Sequence, residues 1–284
     1  FLRKIMPNSP GSLIYKYIRT NKIKINGKKP KPDTRLEEGD VITYYGDSSM
    51  IFAKRFIPSD YTLDVVYEDE NILAVNKPSQ MACQPDGRHL NGTLIDNVKN
   101  YLYVKGDYKP SEENSFAPAL CNRIDFNTAG ICIAAKNAQS LRIVNEKLKN
   151  REIRRFYMCI TEGVPEKPAG TIKNRVLKNA AENKSYISEE GKEAETRYKV
   201  VKVHNGRALM ELEIISGRTH QIRLHLSSLG CPVLNDAKYG LGGDGQILIS
   251  HKTIFEFKTD AGILEYLKGK KVEISTNELN KYLK

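Results

Sequence analysis

Short apolar runs joined by turns, with only occasional helices between them, limit what this chain can fold into. Val65-Val66 and Ile72-Leu-Ala-Val75 flank the turn-forming Glu-Asp-Glu-Asn, and Ile131 to Ala135 and Phe156-Tyr-Met-Cys-Ile160 are further runs of strand length. Tyr198-Lys-Val-Val-Lys-Val203 and Leu209-Met-Glu-Leu-Glu-Ile-Ile215 alternate polar and apolar positions on either side of His204-Asn-Gly-Arg207. That pattern predicts a hairpin, because Asn-Gly accepts the positive φ angles of a tight turn. Three segments carry a helical period instead. Thr93 precedes Leu94, Val98 and Leu102, and Asn137 precedes Leu141, Val144 and Leu148. Thr219 precedes Ile222, Leu226 and Leu229, with Gly230 and Pro232 as stop signals. Each leading Thr or Asn is expected to cap its helix. Hairpins in place of a βαβ repeat predict an α+β fold, with a mainly antiparallel, mixed sheet and flanking helices.

The start of the chain has a different character. Residues 1–35 hold ten Lys/Arg against one acid, Asp33, so most of the net charge of +11 lies there. Such a surplus favours a polyanionic partner, although charge alone leaves RNA, DNA and an acidic membrane open. Ser12 to Thr20 reads as a short helix capped by Ser12, with Leu13, Ile14, Tyr17 and Ile18 inward and Lys16 and Arg19 outward. Lys22-Ile-Lys-Ile-Asn-Gly-Lys-Lys29 predicts a tight turn, and Leu36 to Tyr45 a closing strand. Residues 46–60 read as a linker, which gives domains over 1–45 and 61–284.

Five scattered cysteines without a Cys-x-x-Cys pair argue against a disulfide framework and a zinc site. Cys132 and Cys159 read as small core residues. No run approaches the ~20 apolar residues of a membrane span, and no signal peptide is visible. A cytoplasmic monomer is expected, without metal or cofactor. A chain that begins with Phe is expected to lack some N-terminal sequence.

Two segments carry the chemistry. Cys121-Asn-Arg-Ile-Asp-Phe-Asn-Thr-Ala-Gly130 is a polar loop entering the apolar run at Ile131. Arg123 and Asp125, two apart, project the same way from extended backbone. Gly217-Arg-Thr-His-Gln-Ile-Arg-Leu-His225 is the second. An isolated Asp in a turn ordinarily bonds backbone amides, but the two blocks together resemble the RluA-type pseudouridine synthases, which modify large ribosomal RNA and some transfer RNAs. Arg155-Phe-Tyr-Met-Cys-Ile-Thr-Glu-Gly163 is similar to that family's tyrosine strand. Residues 1–45 resemble the S-four-type RNA-binding domain. Leu177-Lys-Asn and Glu190 to Tyr198 look closest to the C-type branch, which acts on 23S ribosomal RNA.

The resemblance implies a pseudouridine synthase fold and an isomerase that breaks the uracil–ribose bond, rotates the base and rejoins it through carbon, without a cofactor. It implies Asp125 as the catalytic carboxylate and Tyr157 as a pocket residue against the base. Arg123 would enter the RNA where the uridine has flipped out. Arg223 would pair with Asp125 inside the protein; an unpartnered carboxylate in a dry pocket tends to lose its charge. Asn122, Thr128, His220 and Gln221 are implied on the substrate side of the cleft, and Asp236 and Tyr239-Gly240 as its support. Lys16, Arg19, Lys22, Lys24, Lys28 and Lys29 are implied contacts to RNA. The His220/His225 spacing does not suit a metal on a helix. The sequence departs from the family at Asn122 (usually His), Gln80 (usually Gly), Ala129 (usually Ser) and near Ile249-Ser-His251, where Leu-His-Ala is common. The rivals are a ribosome-assembly or other RNA-binding factor that keeps the fold without catalysis, and a synthase acting on transfer RNA.

Overall fold

The computed structural model describes residues 1–6, 9–46, 62–110 and 116–283. It forms two compact units, Phe1–Pro58 and Ser59–Lys284. All but the first residue of the expected linker, together with Tyr61, lies outside the described residues.

In the first unit, α1 (Leu2–Ile5) and α2 (Gly11–Arg19) pack on a two-stranded ribbon of β1 (Ile23–Ile25) and β2 (Ile42–Tyr44). Met6, Ile14, Ile18 and Ile23 form its small core. Asn26 and Gly27 take φ of 50° and 77°, the turn their sequence calls for. Ser12 is not the cap. Pro10 precedes the first helical residue, Gly11, because a Pro with its fixed φ and no N–H suits a helix start.

The second unit is built on one eleven-stranded sheet. Its elements run β3 (Val65–Glu68), β4 (Ile72–Lys77), α3 (Leu94–Lys105), β5 (Ala119–Leu120), β6 (Ala129–Ala135), α4 (Ala138–Lys149) and β7 (Ile153–Glu162). Then follow β8 (Ala169–Asn179), β9 (Lys184–Ile187), β10 (Lys192–His204), β11 (Arg207–Ile214), α5 (Gln221–Ser228), β12 (Leu248–Phe255) and β13 (Lys271–Glu273), with 3-10 turns at Gly262–Leu267 and Asn277–Leu283. The main path is β3-β4-β6-β12-β7-β11-β10-β8-β9, with β13 on β12 and β5 on β6. Among the described residues every pairing of these strands is antiparallel except β6 with β12. The expected mixed, mainly antiparallel sheet is therefore present.

Alternating side chains of the central strands feed separate cores on the two faces. Leu73 and Val75 of β4, Cys132 of β6 and Tyr157 of β7 meet Leu94, Val98 and Leu102 of α3 and Ile222 and Leu226 of α5. Ile72, Ala74, Ile131 and Ile133 face the other way, onto Val144 of α4. The three α3 side chains are fully buried, worth roughly 1.5–3 kcal/mol each, and fix a floor beneath the loop that leads into β6. Thr93 and Asp96 close a capping box at the head of α3, and Asn137 caps α4 through Ser140 N.

Three helix readings need correction. Thr219 does not cap α5: His220 occupies that position at φ 54° with no side-chain cap. Leu229 is 38% exposed, because α5 has already ended at Ser228 and the chain turns at Gly230, φ 73°. On α4, Leu141 and Leu148 are only half-buried, while Lys147 from the basic stretch is fully buried against Glu152, with Nζ–Oε2 3.0 Å.

Candidate active site

Backbone bonds hold the 121–130 loop in one conformation. Thr128 N donates to Asp125 O at 3.1 Å, closing the turn between them. Asn122 Oδ1 accepts from Ile133 N at 2.8 Å, tying the start of the loop to β6. Lys77, wholly buried at the end of β4, donates to Pro78 O (2.9 Å), Met81 O (2.8 Å) and Phe126 O (3.1 Å). Ser79 Oγ adds a bond to Asn127 O at 2.8 Å. Gln80 in that clamp has φ 62°, which explains why glycine suits the position. Where the loop enters the sheet, Gly130 sits at φ 112°, and a Cβ there would meet Ser250 O of β12 at 2.2 Å. Only glycine lets β6 and β12 approach so closely. Arg123 is exposed, Ile124 buried and Asp125 half-buried, as extended backbone dictates, so the charged pair shares one side.

Arg223, third residue of α5, reaches this loop from 98 positions away. It is 6% exposed, and its Nη1 donates to Asp125 Oδ2 at 3.2 Å. The other edge of the guanidinium makes a two-point contact with fully buried Asp236: Nε to Oδ2 and Nη2 to Oδ1, both 2.7 Å. Asp236 Oδ1 also accepts from Lys238 N and Tyr239 N, and the Tyr239 ring lies 5.2 Å from the guanidinium carbon. Burial works against the Arg223 charge, but Asp236 and then Asp125 outweigh it and raise the pKa. Burial likewise opposes ionisation of Asp236; Arg223 and two amides override it and hold the carboxyl below its ordinary range. One carboxylate thus anchors the cation, and a second, 26% exposed, is held by it with part of its surface open to solvent.

Tyr157 on β7 pairs in register with Ser250 and is 5% exposed. Burial pushes its phenol up to about 12, with Asp125 nearby acting in the same direction. It therefore stays protonated, an apolar wall with one hydroxyl.

Arg223 contacts Asp125 directly, Arg123 lies exposed on the same loop, and Tyr157 belongs to the core cluster that also holds Ile124 and Ile222, the residues beside Asp125 and Arg223. The remaining substrate-side candidates spend polar atoms on the protein. Asn122 is tied to β6 as above, and Thr128 Oγ1 accepts from Gln246 Nε2 at 3.1 Å. Gln221 bonds Ser216, Arg218 N, Glu195 O and Thr196. His220 is 2.9 Å from Tyr239 Oη, and burial lowers its pKa to about 4, so it is neutral. His225 bonds Thr196 elsewhere. Among the described residues no group of three or more His, Cys, Asp or Glu could hold a metal ion, and no helix is long and apolar enough to cross a membrane. Lys77 and the anchoring role of Asp236 escaped sequence reasoning, since Lys77 sits in a loop-like Asn-Lys-Pro-Ser and Asp236 contacts Arg223 only in space.

In the N-terminal unit, Lys16, Arg19 and Lys29 line a groove of about 480 Å³ together with Tyr15 and Lys31. Lys22 and Lys24 lie over the rings of Tyr17 and Tyr45, at 5.5 and 5.3 Å. Lys28 is exposed beside the Asn-Gly turn.

The sheet carries a loop-borne carboxylate, a buried arginine and a strand tyrosine, and sequence comparison gives the class of the chain that holds them. The family model for RNA pseudouridylate synthase matches residues 71–228, which contain all three groups. The chain belongs to that family, whose members isomerise uridine to pseudouridine in RNA. It is 30% identical over 249 residues to an uncharacterized RNA pseudouridine synthase of Aquifex aeolicus, covering 84% of this chain and 75% of the relative. It is 30% identical to the ribosomal large subunit pseudouridine synthase C of Rickettsia prowazekii, covering 96% and 91%. Human RNA Pseudouridylate Synthase Domain Containing 1 shares the fold, with TM-score 0.57 and 21% identity over 78% of this chain and 94% of that one.

Proposed function

We propose that this enzyme converts uridines of large-subunit (23S) ribosomal RNA to pseudouridine, with Asp125 as the catalytic carboxylate. The observation that carries the assignment is the aimed pair: a half-buried Asp125 oxygen 3.2 Å from a guanidinium that a buried aspartate already anchors. A carboxylate so placed can attack the anomeric carbon of a flipped uridine or take a proton from its ribose. Tyr157 lines the base pocket, and exposed Arg123 fills the gap left in the RNA. Asn122, Thr128, His220 and Gln221 shape the cleft through the protein rather than through the substrate. A non-catalytic RNA binder would have no use for extending an arginine already anchored by buried Asp236 to a second, half-exposed carboxylate.

The N-terminal unit acts as an S-four-type RNA-binding domain over residues 1–45, linked by 46–60 to a catalytic domain over 61–284. Its basic groove supports phosphate contacts. The protein works as a cytoplasmic monomer. The C-type names of relatives matched over most of the chain favour ribosomal over transfer RNA. The test incubates purified enzyme with unmodified 23S ribosomal RNA and with bulk unmodified transfer RNA, then maps pseudouridine at nucleotide resolution. Discrete sites in the ribosomal RNA alone are expected; conversion confined to transfer RNA would overturn the target.

A further inference from the structure

Beneath the catalytic loop lies a pair of thiols that the chemistry above does not use. Cys83, in the segment before α3, brackets the residue between Arg123 and Asp125: its Sγ accepts from Ile124 N at 3.4 Å and donates to Ile124 O at 3.3 Å. Cys132, on β6, has its Sγ 4.0 Å from that of Cys83. Both side chains are buried, at 6% and 0% exposure. Neither is in a disulfide.

We propose that Cys83 is a positioning residue for Asp125, and that oxidation of Cys83 and Cys132 to a disulfide releases the catalytic loop and switches the enzyme off. The inference rests on Asp125 being the catalytic carboxylate. A disulfide requires about 2.05 Å between sulfurs, so one thiol must travel. Cys132 is fixed in a central strand paired on both sides, with β4 at Val75 in register with it. Cys83 lies in an irregular segment and is the group that moves. Closing the bond draws its sulfur away from Ile124 and removes the S–H that Ile124 O accepts. Both polar groups of Ile124 then lose their partner at the point that aims Asp125.

The oxidant is hydrogen peroxide. The Cys83 thiolate attacks one peroxide oxygen, the O–O bond breaks, and the leaving hydroxide takes up the proton the thiol had lost, giving a sulfenic acid and water. Cys132 sulfur displaces that hydroxyl as a second water, and the S–S bond forms; two thiols are oxidised and one peroxide reduced. Cys83 is suited to attack first. The Cys132 hydrogen bond, the Ile124 amide and the Lys77 ammonium together hold its thiol below the ordinary thiol range against the cost of burial. Cys132 is shifted the opposite way by the same contact, followed by burial, as a resolving thiol can be.

The experiment treats the full chain with hydrogen peroxide and follows three readouts. These are peptide mapping of the 83–132 disulfide, amide hydrogen exchange across residues 123–126, and single-turnover pseudouridine formation in unmodified 23S ribosomal RNA at saturating enzyme. Expected are a linked 83–132 peptide, faster exchange in the loop, and at least a tenfold slower single turnover with RNA affinity within threefold, all reversed by dithiothreitol. Cys132→Ser under the same peroxide should give no linked peptide and leave on Cys83 a sulfenic acid that a 1,3-dione reagent traps; absence of that trapped adduct would count against Cys83 as the attacking thiol. Cys83→Val should slow turnover about tenfold without weakening RNA binding, and Cys83→Ser, which restores a donor and acceptor, should recover most of it. A disulfide that forms without altering loop exchange, or inactivation without the linked peptide, would overturn the inference. If Asp125 proved dispensable, the exchange and mapping results would still decide the thiol lock separately.

Discussion

Replacing Arg223 by Met removes the cation from between two carboxylates, and the structure sets the size of the loss. Asp236 is fully buried and accepts two 2.7 Å bonds from the guanidinium. Breaking such a pair costs about 3–5 kcal/mol, against about 0–1 kcal/mol for an exposed one. For a domain of this size that corresponds to a fall in Tm of roughly 6–20 °C. The pH dependence should change sign as well. In the wild type, Asp236 titrates below its unfolded value of about 3.9. Its contribution is therefore full above that pH and lost as pH falls through the lower, folded value. In Arg223→Met, burial without a cation raises the folded pKa, so the stability linked to Asp236 is present below about pH 3.9 and lost as pH rises through the raised value. The gap between the proteins should be widest near pH 7 and close toward pH 4. Urea denaturation at half-unit pH steps reads this directly, and turnover should be abolished at pH 7. A gap under about 1 kcal/mol that is flat with pH would refute the buried-triad reasoning.

Other substitutions separate fold from chemistry. Gly130→Ala places a methyl 2.2 Å from Ser250 O at φ 112°; it should destabilise by more than about 3 kcal/mol and expose the β6–β12 edge to amide exchange. Lys147→Met breaks the buried pair with Glu152, away from the site. It should cost about 3–5 kcal/mol yet leave single turnover by the folded enzyme within twofold. Lys16→Ala with Arg19→Ala removes two groove cations; the slope of log binding constant against log salt should flatten by roughly one per lost phosphate contact. Single turnover at saturation should be unaffected, and an unchanged slope would place RNA recognition elsewhere.

Much of the fold could be read along the chain because its signals are local. Thr93 before Leu94, Val98 and Leu102, and Asn205-Gly206 between two alternating segments, specify structure within a few residues, and each stands where expected. The readings that failed depended on distant partners. Lys147 looks like one more surface cation until Glu152 and Thr259 close around it. On β11 the expected alternation holds for Ala208, Met210, Leu212 and Ile214, which face one core, but Leu209 on the opposite face is buried in another core and Glu213 is buried against Arg154. At the site, the motifs carry Asp125, Tyr157 and Arg223, whose residue types are suited to the chemistry. The anchoring of Arg223 by Asp236 and the clamp of Lys77 on Phe126 O are contacts made only by the folded chain.

The most direct test of the catalytic assignment is single-turnover pseudouridine formation by Asp125→Asn on unmodified 23S ribosomal RNA at saturating enzyme. Asn keeps the size and one acceptor for Arg223 but carries no charge and cannot serve as the nucleophile or base. Conversion should fall below detection while RNA binding stays within a few-fold of wild type. Conversion at even a tenth of the wild-type rate would contradict the assignment of Asp125.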